Sequence, residues 1–349
     1  MVLSYYIYKY PYVIAWHLAK IFGKKEDVVF YCADPLDCEM FAPIQKHLPP
    51  IKIVAKNKKT RDYLESKGAS YFRMPVFPKA VIMARLAAHK FPCEKITKIG
   101  FGHGPYQFKE WSENRNFNAF DIYFLTSETH VKKARERGIV SVKAIGYPKL
   151  DPAFDGTYNE EFLQKLKDKI GLNTEKKTLF FSSTWGPGKL SALDKWIDEV
   201  GELASDYNIL VSVHTWTHED KKNKLRQTRD VYFIEEFNAL PFLMIADVLV
   251  ADYSSIIAEA IALDKPIITF IVPREKRSRE EIFEILEKVG LRVNNFYELR
   301  EAIKIAVNNP EIKASEREKA KEIFFSYLDG KAGKRAAEEI LKRVDFSSK

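Results

Sequence analysis

Apolar and polar residues follow one another along this chain in blocks of two kinds. Short apolar runs rich in β-branched and aromatic residues are typical of strands that are buried on both faces. Longer segments with apolar residues three and four positions apart are typical of amphipathic helices. The two kinds alternate over most of residues 27–344. This alternation predicts an α/β fold in which helices cover both faces of parallel sheets.

The individual elements follow from these runs and from the residues at their ends. The apolar runs predict strands at Val28–Ala33, Ile51–Ala55, Tyr71–Met74, Lys95–Phe101, Asp121–Thr126, Val142–Ile145, Thr178–Ser182, Ile209–Val213, Val231–Ile234, Val248–Ala251 and Ile267–Phe270. The helical spacing predicts helices at Asn57–Lys67, Lys79–His89, Glu128–Arg137, Glu160–Ile170, Leu190–Ala204, Leu240–Ile245, Ile256–Leu263, Arg279–Val289, Phe296–Asn308, Ile312–Tyr327 and Lys331–Val344.

The stretch Gly146–Pro152 interrupts the alternation with one glycine and two prolines. Because glycine and proline end regular elements, this stretch predicts a domain junction. We expect an N-terminal Rossmann-like domain at residues 1–150 and a second one at 151–330. A C-terminal helix at 331–349 is expected to pack back across the domains. Two such lobes predict a ligand site in the cleft between them.

The clearest strand–loop–helix–strand unit is Ala246–Phe270. Its loop carries Asp252, Ser254 and Ser255, directly after an apolar strand and before a helical pattern. Hydroxyls and backbone N–H groups at such a position bind phosphate in open α/β sheets. The alternative is that the serines only cap the helix.

Two histidines also follow predicted strands. His103 lies between Gly102 and Gly104, where the backbone can turn sharply and present the imidazole as a general base. The alternative is a turn histidine bonded to a carbonyl. His214 ends another strand, with His218 four residues later, but a zinc site would need a helix and a third ligand. The sequence therefore predicts no metal site.

A further loop combines hydroxyls and an indole after a strand: Ser183, Thr184 and Trp185, followed by Gly186. It is either a phosphate- or base-contacting loop or a plain turn. The chain lacks a glycine-rich dinucleotide fingerprint, a P-loop and a GxSxG elbow. Several polar groups at strand ends in two domains together favour an enzyme with its site in a cleft.

Charge adds one constraint, because the formal net charge is +8 over 349 residues. This balance favours anionic partners: nucleotide phosphates, nucleic acid or an acidic membrane surface.

Residues 1–25 mix aromatic residues with lysines, which is typical of a helix at a membrane interface or of one packed on its own domain. No apolar run approaches the roughly 20 residues that span a bilayer, and Lys9 and Pro11 break the signal-peptide pattern. The three cysteines lack metal-ligand spacing, which indicates reduced thiols in the cytoplasm.

Six segments, in order, resemble the CDP-glycerol glycerophosphotransferase family, which includes teichoic acid primases and polymerases. FGHGPYQFK is similar to that family's WHG-x-x-x-K stretch, GYPKLD to its GYPRxD, and LFFSSTW to its strand followed by PTW. SVHTW falls at its RxHP histidine, DVLVADYSSIIAEAIALDKPIITF resembles its DYSS…KPI segment, and YLDGKAGKRAAEEIL resembles its C-terminal helix. The resemblance covers most of residues 95–341.

The resemblance implies a GT-B-like fold and transfer of an alcohol phosphate, such as glycerol phosphate, from a CDP-alcohol to a hydroxyl of a lipid-linked saccharide or polymer. No certain cofactor follows from it. It implies a cytoplasmic enzyme, peripheral on the inner face of the cell membrane and in contact with an anionic membrane surface. The implied catalytic residues are His103 and His214. The residues expected to contact the substrates are Asp252, Ser254, Ser255, Ser183, Thr184, Trp185, Gly104, Lys109 and Tyr147.

Two departures from the family pattern concern the histidines. Phe101 and Gly102 replace the residues that usually precede the first, and Ser212 and Thr215 replace Arg and Pro around the second. The transferred group and acceptor are therefore left open. One alternative is a GT-B glycosyltransferase or epimerase acting on a nucleotide sugar. Another is a non-catalytic basic protein that binds nucleic acid or membrane, and the paired histidines at strand ends argue against nucleic acid as a partner.

Overall fold

A computed structural model of the chain describes residues 3–22, 27–102, 104–105, 112–185, 191–274 and 279–346. The chain forms two compact units. One consists of Met1–Gly104, Trp111–Asp151 and Ser326–Lys349, and the other mainly of Pro152–Phe325. Each unit has its own parallel sheet, which confirms the predicted α/β fold with two Rossmann-like parts.

The first unit is built on a parallel sheet. Its strands are β1 (Val28–Cys32), β2 (Lys52–Ala55), β3 (Tyr71–Phe72), β4 (Ala80–Met83), β5 (Thr97–Phe101), β6 (Ile122–Leu125) and β7 (Val142–Ala144). Within the described residues they lie in the order β3–β2–β1–β4–β5–β6–β7, and every neighbouring pair is parallel. The central strands β1 and β4 are fully buried, as both faces of the sheet are covered.

The second unit repeats this arrangement. Its strands are β8 (Lys177–Ser183), β9 (Tyr207–Val213), β10 (Val231–Phe233), β11 (Val248–Ala251), β12 (Ile267–Phe270) and β13 (Leu291–Val293). In the part of the unit that the structure describes, their order is β10–β9–β8–β11–β12–β13, again parallel throughout. The second sheet therefore has the 3-2-1-4-5-6 order of a Rossmann fold, and the first has the same order with a seventh strand, β7, added at its edge. The strand order reverses between β1 and β4 and between β8 and β11.

Helices connect the strands and cover the sheets. They are α1 (Leu3–Ile21), α2 (Pro35–Gln45), α3 (Lys58–Ser66), α4 (Asn114–Phe117), α5 (Glu128–Glu136), α6 (Asp151–Phe154), α7 (Glu160–Lys169), α8 (Glu219–Gln227), α9 (Leu240–Ile245), α10 (Ile256–Ala262), α11 (Glu280–Leu286), α12 (Phe296–Asn308), α13 (Ala314–Phe324) and α14 (Ala332–Leu341). Several begin at a side-chain cap, as at Asn57 before α3 and Ser127 before α5.

Two predicted helices are wrong. The predicted helix Lys79–His89 contains the central strand β4, because a short apolar run buried on both faces has no periodicity that separates strand from helix. The predicted helix Leu190–Ala204 contains the 3₁₀ segments Leu193–Lys195 and Val200–Ser205 instead. A Cβ on Gly201 would stand 2.9 Å from the Thr228 side chain, so this segment passes close to its neighbour at a glycine.

The last helix, α14, packs on the first unit against α2. Both carboxylate oxygens of Asp151 accept hydrogen bonds from its first turn, from Ala332 N at 3.0 Å and Gly333 N at 2.6 Å. Arg335 Nε donates to the Ile145 carbonyl at 2.9 Å. The GYPKLD stretch and the C-terminal helix, far apart in sequence, thus form one structural joint.

Helix α1 has two apolar faces. On its inner face Tyr12 and Trp16 are buried, and they donate hydrogen bonds to the carbonyls of Val76 and Pro78. Its outer face carries large hydrophobic side chains that are 48–75% exposed: Ile7, Tyr10, Ile14, Leu18 and Ile21, followed by Phe22 just after the helix. Their spacing of three and four residues puts them on one stripe. Among the described helices none is long and apolar enough to cross a membrane.

Candidate active site

The candidate site lies at the carboxyl edge of the second unit's sheet. β9, β8 and β11 are neighbours there, and the residues that follow them are His214, Thr184 and Asp252. Because strand order reverses between β8 and β11, this edge contains the crevice in which open α/β sheets bind ligands. The fold thus brings together residues that are up to 68 positions apart in sequence.

Asp252 holds this edge together. Its carboxylate is completely buried and accepts hydrogen bonds from Thr184 N at 2.9 and 3.1 Å and from Ala192 N at 3.0 Å. Burial raises the pKa of Asp252 to about 6, while the two backbone N–H groups act in the opposite direction. The side chain therefore fixes the two ends of the loop after β8. It is oriented toward that loop, as expected for a positioning carboxylate.

His214 follows β9 and its imidazole is held in one orientation. Its Nδ1 accepts a hydrogen bond from Trp216 N at 3.1 Å, and its carbonyl accepts one from Thr217 N at 2.9 Å. With the Nδ1 lone pair engaged, a neutral imidazole carries its proton on Nε2. Nε2–H is then a donor suited to a phosphate oxygen, without need for a second proton.

Two indoles stand beside this histidine. The Trp185 and Trp216 rings meet edge to face with centroids 4.9 Å apart, and their centroids lie 6.3 and 5.4 Å from that of His214. Trp185 is 47% exposed and Trp216 66% exposed. Large aromatic surface left in water at a sheet's ligand-binding edge is typical of a binding surface. We call Trp185, His214 and Trp216 the aromatic notch.

The loop of Asp252 leads into α10 through Ser254 and Ser255. Ser255 is the N-cap residue, but among the described contacts its side chain accepts no capping hydrogen bond. The first-turn N–H groups of Ile257 and Ala258 bond to the carbonyls of the two serines. Capping therefore does not account for these hydroxyls in the structure.

One guanidinium group contacts the neighbouring tyrosine of this loop, and a second lies on the aromatic ring beside it. Tyr253 packs edge to face on Phe283 at 4.8 Å, and Arg292 Nη2 lies 3.5 Å from its hydroxyl. The guanidinium group of Arg274 lies over the same Phe283 ring, 4.7 Å from its centroid. Both arginines pair with Glu287. Arg274 also pairs with Glu280, so two carboxylates balance the two guanidinium charges among the described contacts.

The other residues predicted for the site have different surroundings. Ser183 is buried, and its hydroxyl accepts a hydrogen bond from Trp196 Nε1 at 3.2 Å. Tyr147 is buried in the first unit with its hydroxyl 4.0 Å from the Met40 sulfur. A Cβ on Gly104 would meet no atom within 4 Å. The observed contacts of Ser183 and Tyr147 are packing contacts within the protein. Substrate contact by these three residues stays a prediction.

His103 and Lys109 lie outside the described residues.

The metal site considered for the sequence involved His214 and His218. The His218 side chain instead accepts a hydrogen bond from Asp220 N at the start of α8. Over the described part of the chain, no three His, Cys, Asp or Glu side chains are grouped so that they could hold a metal ion.

Sequence reasoning missed Trp216, Arg274 and Arg292. Trp216 lies two residues after a strand-end histidine, so its position was available as a signal, but its pairing with Trp185 depends on β8 and β9 being neighbours. The arginines come from β13 and the segment after β12, and β13 itself was not predicted from its three residues. These contacts are set by strand order, which no local pattern specifies.

Comparison with known proteins identifies a family match. The model of the family described as CDP-Glycerol:Poly(glycerophosphate) glycerophosphotransferase matches residues 94–342. The teichoic acid ribitol-phosphate polymerase TarK of Staphylococcus aureus is 24% identical over 268 residues, 70% of this chain and 50% of that protein. The teichoic acid poly(glycerol phosphate) polymerase of Bacillus spizizenii is 27% identical over 135 residues, 36% of this chain and 34% of that protein. The chain spans half or less of the length of these two relatives.

Solved structures match the fold over nearly the whole chain. A variant of the wall teichoic acid polymerase TagF gives a TM-score of 0.73 at 16% identity and covers 96% of this chain and 97% of that one. The UDP-GlcNAc 2-epimerase from Neisseria meningitidis, bound to UDP-GlcNAc, gives 0.61 at 15% identity, with 91% and 100% covered. These similarities confirm the GT-B-like fold.

Proposed function

Because the chain belongs to the CDP-glycerol:poly(glycerophosphate) glycerophosphotransferase family, we propose that it transfers an alcohol phosphate from a CDP-alcohol to an acceptor hydroxyl and releases CMP. The alcohol is glycerol or a similar polyol, and the acceptor is a lipid-linked saccharide or polymer used in cell-surface polymer synthesis. The observation that carries the proposal is the edge formed by the Asp252 loop and His214 at the strand-order reversal. One TagF structure was obtained after a soak with CDPG.

The proposed reaction is a displacement at the distal phosphorus of the donor. The acceptor oxygen forms a new P–O bond, the bond from that phosphorus to the bridging oxygen breaks, and CMP leaves with the electron pair. The acceptor proton passes to His103, the proposed general base, which would contribute about 10²- to 10⁴-fold. The Nε2–H of His214 would donate to a phosphate oxygen as negative charge collects on the leaving group.

The diphosphate is proposed to lie against the loop that contains Ser254 and Ser255. Their hydroxyls face no capping demand from α10 among the described contacts. Arg274 and Arg292 place guanidinium N–H donors near the same loop, where they pair with Glu280 and Glu287 among the described contacts. Asp252 would act through position, since its buried carboxylate accepts hydrogen bonds from the backbone N–H groups of Thr184 and Ala192.

The chain is also proposed to associate peripherally with an anionic membrane surface through α1. The outer stripe of this helix exposes apolar side chains, while its inner face is held by Tyr12 and Trp16. Lys9 and Lys20 lie on the same helix. Lys9 Nζ lies 4.0 Å from Glu94, and an apolar stripe on a helix that also carries lysines is typical of helices that lie in a membrane interface. A lipid-linked acceptor would be presented at that surface, on the inner face of the cell membrane.

A nucleotide panel tests the donor. Thermal unfolding is measured with CMP, CDP, UMP, UDP and CDP-glycerol, since a ligand at 100 times its Kd adds about 2.7 kcal/mol of apparent stability. We expect a response to cytidine nucleotides that is lost in the Ser254→Ala/Ser255→Ala variant. A response confined to uridine nucleotides would favour the second candidate, a glycosyltransferase or epimerase that uses a nucleotide sugar. The fold is similar to that of a UDP-GlcNAc 2-epimerase.

A further inference from the structure

The aromatic notch is an exposed right-angled surface at the end of two neighbouring strands. Trp185 follows β8 and Trp216 follows β9, and their rings meet at an interplanar angle of 87°. The His214 ring completes the group, tilted at 36° to Trp185 and 74° to Trp216. A hydrogen bond from Trp216 N to His214 Nδ1 fixes the backbone that carries the second indole. The notch is thus a defined surface, although both indoles remain about half exposed or more.

The chemistry of this surface selects for a flat ring. Exposed indoles bind planar π systems by stacking, and one right-angled pair contacts both the face and the edge of such a ring. Among the substrates of the proposed reaction, an alditol phosphate has no ring, whereas the nucleobase of the donor is flat and aromatic. The sugar rings of an acceptor are puckered and expose hydroxyls on both sides. The nucleobase therefore matches the notch best.

The distance across the sheet agrees with this choice. The Ser254–Ser255 loop follows β11, and the notch follows β8 and β9. Neighbouring strands are about 5 Å apart, so β9 and β11, with β8 between them, are separated by about 10 Å. A ribose and one phosphate bridge a comparable length between a base and the outer phosphate of a nucleoside diphosphate. Trp185 follows β8, the strand next to β11, so the notch adjoins the strand that leads into the diphosphate loop.

We propose that Trp185 and Trp216 form the nucleobase subsite of this chain and that Trp216 sets part of its affinity for the donor. This inference rests on the proposed function and adds the placement of the donor: base on the notch, diphosphate at the Ser254–Ser255 loop. Trp216 is a binding residue in this arrangement and takes no part in proton transfer.

The test compares a ligand that has a base with one that has none. Calorimetric Kd values for CDP and for inorganic pyrophosphate are measured on the full chain and on Trp216→Ala, Trp216→Phe and Trp185→Ala. Alanine substitution of a stacking residue is expected to raise the Kd for CDP about 5- to 150-fold, while the Kd for pyrophosphate stays within about twofold. Trp216→Phe keeps a ring and is expected to recover most of the affinity. Tyr297→Ala is the control, because Tyr297 is a 78% exposed aromatic residue on α12 of the same unit.

Two results would overturn the subsite. An unchanged Kd for CDP in both alanine variants would show that the base lies elsewhere. Equal weakening of CDP and pyrophosphate would show that the tryptophans only support the fold of the edge. A full-length protein that binds neither CDP nor CDP-glycerol would instead remove the proposed function, and the base assignment would fall with it.

Discussion

Asp252 shows how a single residue determines the geometry of the candidate site. The carboxylate is buried and its oxygens accept the backbone N–H groups of Thr184 and Ala192. An asparagine of the same shape could accept with one oxygen only, because its other terminal atom is a donor. The position therefore needs a carboxylate even though burial opposes its ionisation. The loop after β8 is held in place at the cost of some stability at neutral pH.

Asp252→Asn is expected to change the pH dependence of unfolding. The pKa of Asp252 is raised from 3.8 to about 6 in the folded chain, so between these values the unfolded chain loses its proton first. The free energy of unfolding then falls as pH rises from about 4 to about 6, by an amount on the order of 3 kcal/mol from this group. Asparagine does not titrate and lacks this component.

Urea unfolding of both proteins at pH 4 and pH 7 measures this component. The free energy of unfolding of the wild type minus that of the variant is the quantity to compare. It should be larger at pH 4 than at pH 7. A difference that is independent of pH would contradict the raised pKa. Nucleotide binding by the variant should also weaken, since one of the two loop contacts is lost.

At the scale of single residues, the sequence predicted where strands end. It thereby identified Asp252, His214 and Trp185, which follow strands. It did not predict what Asp252 bonds to, because Thr184 and Ala192 come from a different strand end. It did not predict that Trp216 donates its backbone N–H to His214, which sets the imidazole tautomer. Local spacing identifies residue types at an edge, whereas their contacts depend on which strands are neighbours.

At the scale of elements, the joint between α14 and α2 links the end of the chain to the first unit. Asp151 caps α14 from outside the helix, and Gly333 lies directly against the backbone of α2. A Cβ at position 333 would stand 2.4 Å from the Pro43 carbonyl oxygen and 2.6 Å from its carbon. Backbone atoms cannot move aside as a flexible side chain does, so the two helices would have to separate.

Gly333→Ala is therefore expected to lower the free energy of unfolding by about 1–3 kcal/mol through overpacking. Urea unfolding of the variant measures this loss. Lys334→Ala is the matched control, because it changes the next, exposed residue of α14 and should stay within about 0.5 kcal/mol of the wild type. An alanine variant at 333 as stable as the control would contradict the close packing of the two helices.

Most elements were predictable because their runs were long or clearly capped, as for α12 and β9. The failures were β4, whose four residues are buried on both faces, the three-residue strand β13, and the 3₁₀ segments after residue 192. A buried run of this length carries no amphipathic period, so its neighbours in the sheet decide its conformation. The contact of α14 with α2 was likewise beyond local patterns, since it joins positions nearly 300 residues apart.

At the scale of the whole molecule, the outer stripe of α1 is the surface proposed to meet the membrane. The variant Ile14→Glu/Leu18→Glu places two charges in the stripe, at side chains that are 61% and 48% exposed. Full burial of one such apolar side chain is worth about 1.5–3 kcal/mol, so losing two should weaken vesicle binding at least tenfold. The fold should be unaffected, because neither side chain lies in the core.

Sedimentation with vesicles that contain anionic phospholipid measures this binding, at low and high salt. Ile305→Glu is the control, since Ile305 is a 48% exposed residue on α12 of the second unit. Equal binding by the stripe variant and the control would show that α1 is not the membrane-facing surface. Binding by the wild type that is insensitive to salt would argue against a contribution from its lysines.

The most direct test of the central claim is release of CMP from CDP-glycerol in the presence of a vesicle-bound, lipid-linked saccharide acceptor. We expect one CMP per glycerol phosphate transferred. His103→Ala should lower turnover at least 100-fold while it keeps the Kd for CDP, and His214→Ala should lower turnover as well. Turnover of UDP-GlcNAc without release of CMP from CDP-glycerol, or an unchanged rate in His103→Ala, would contradict the proposed phosphotransferase and its base.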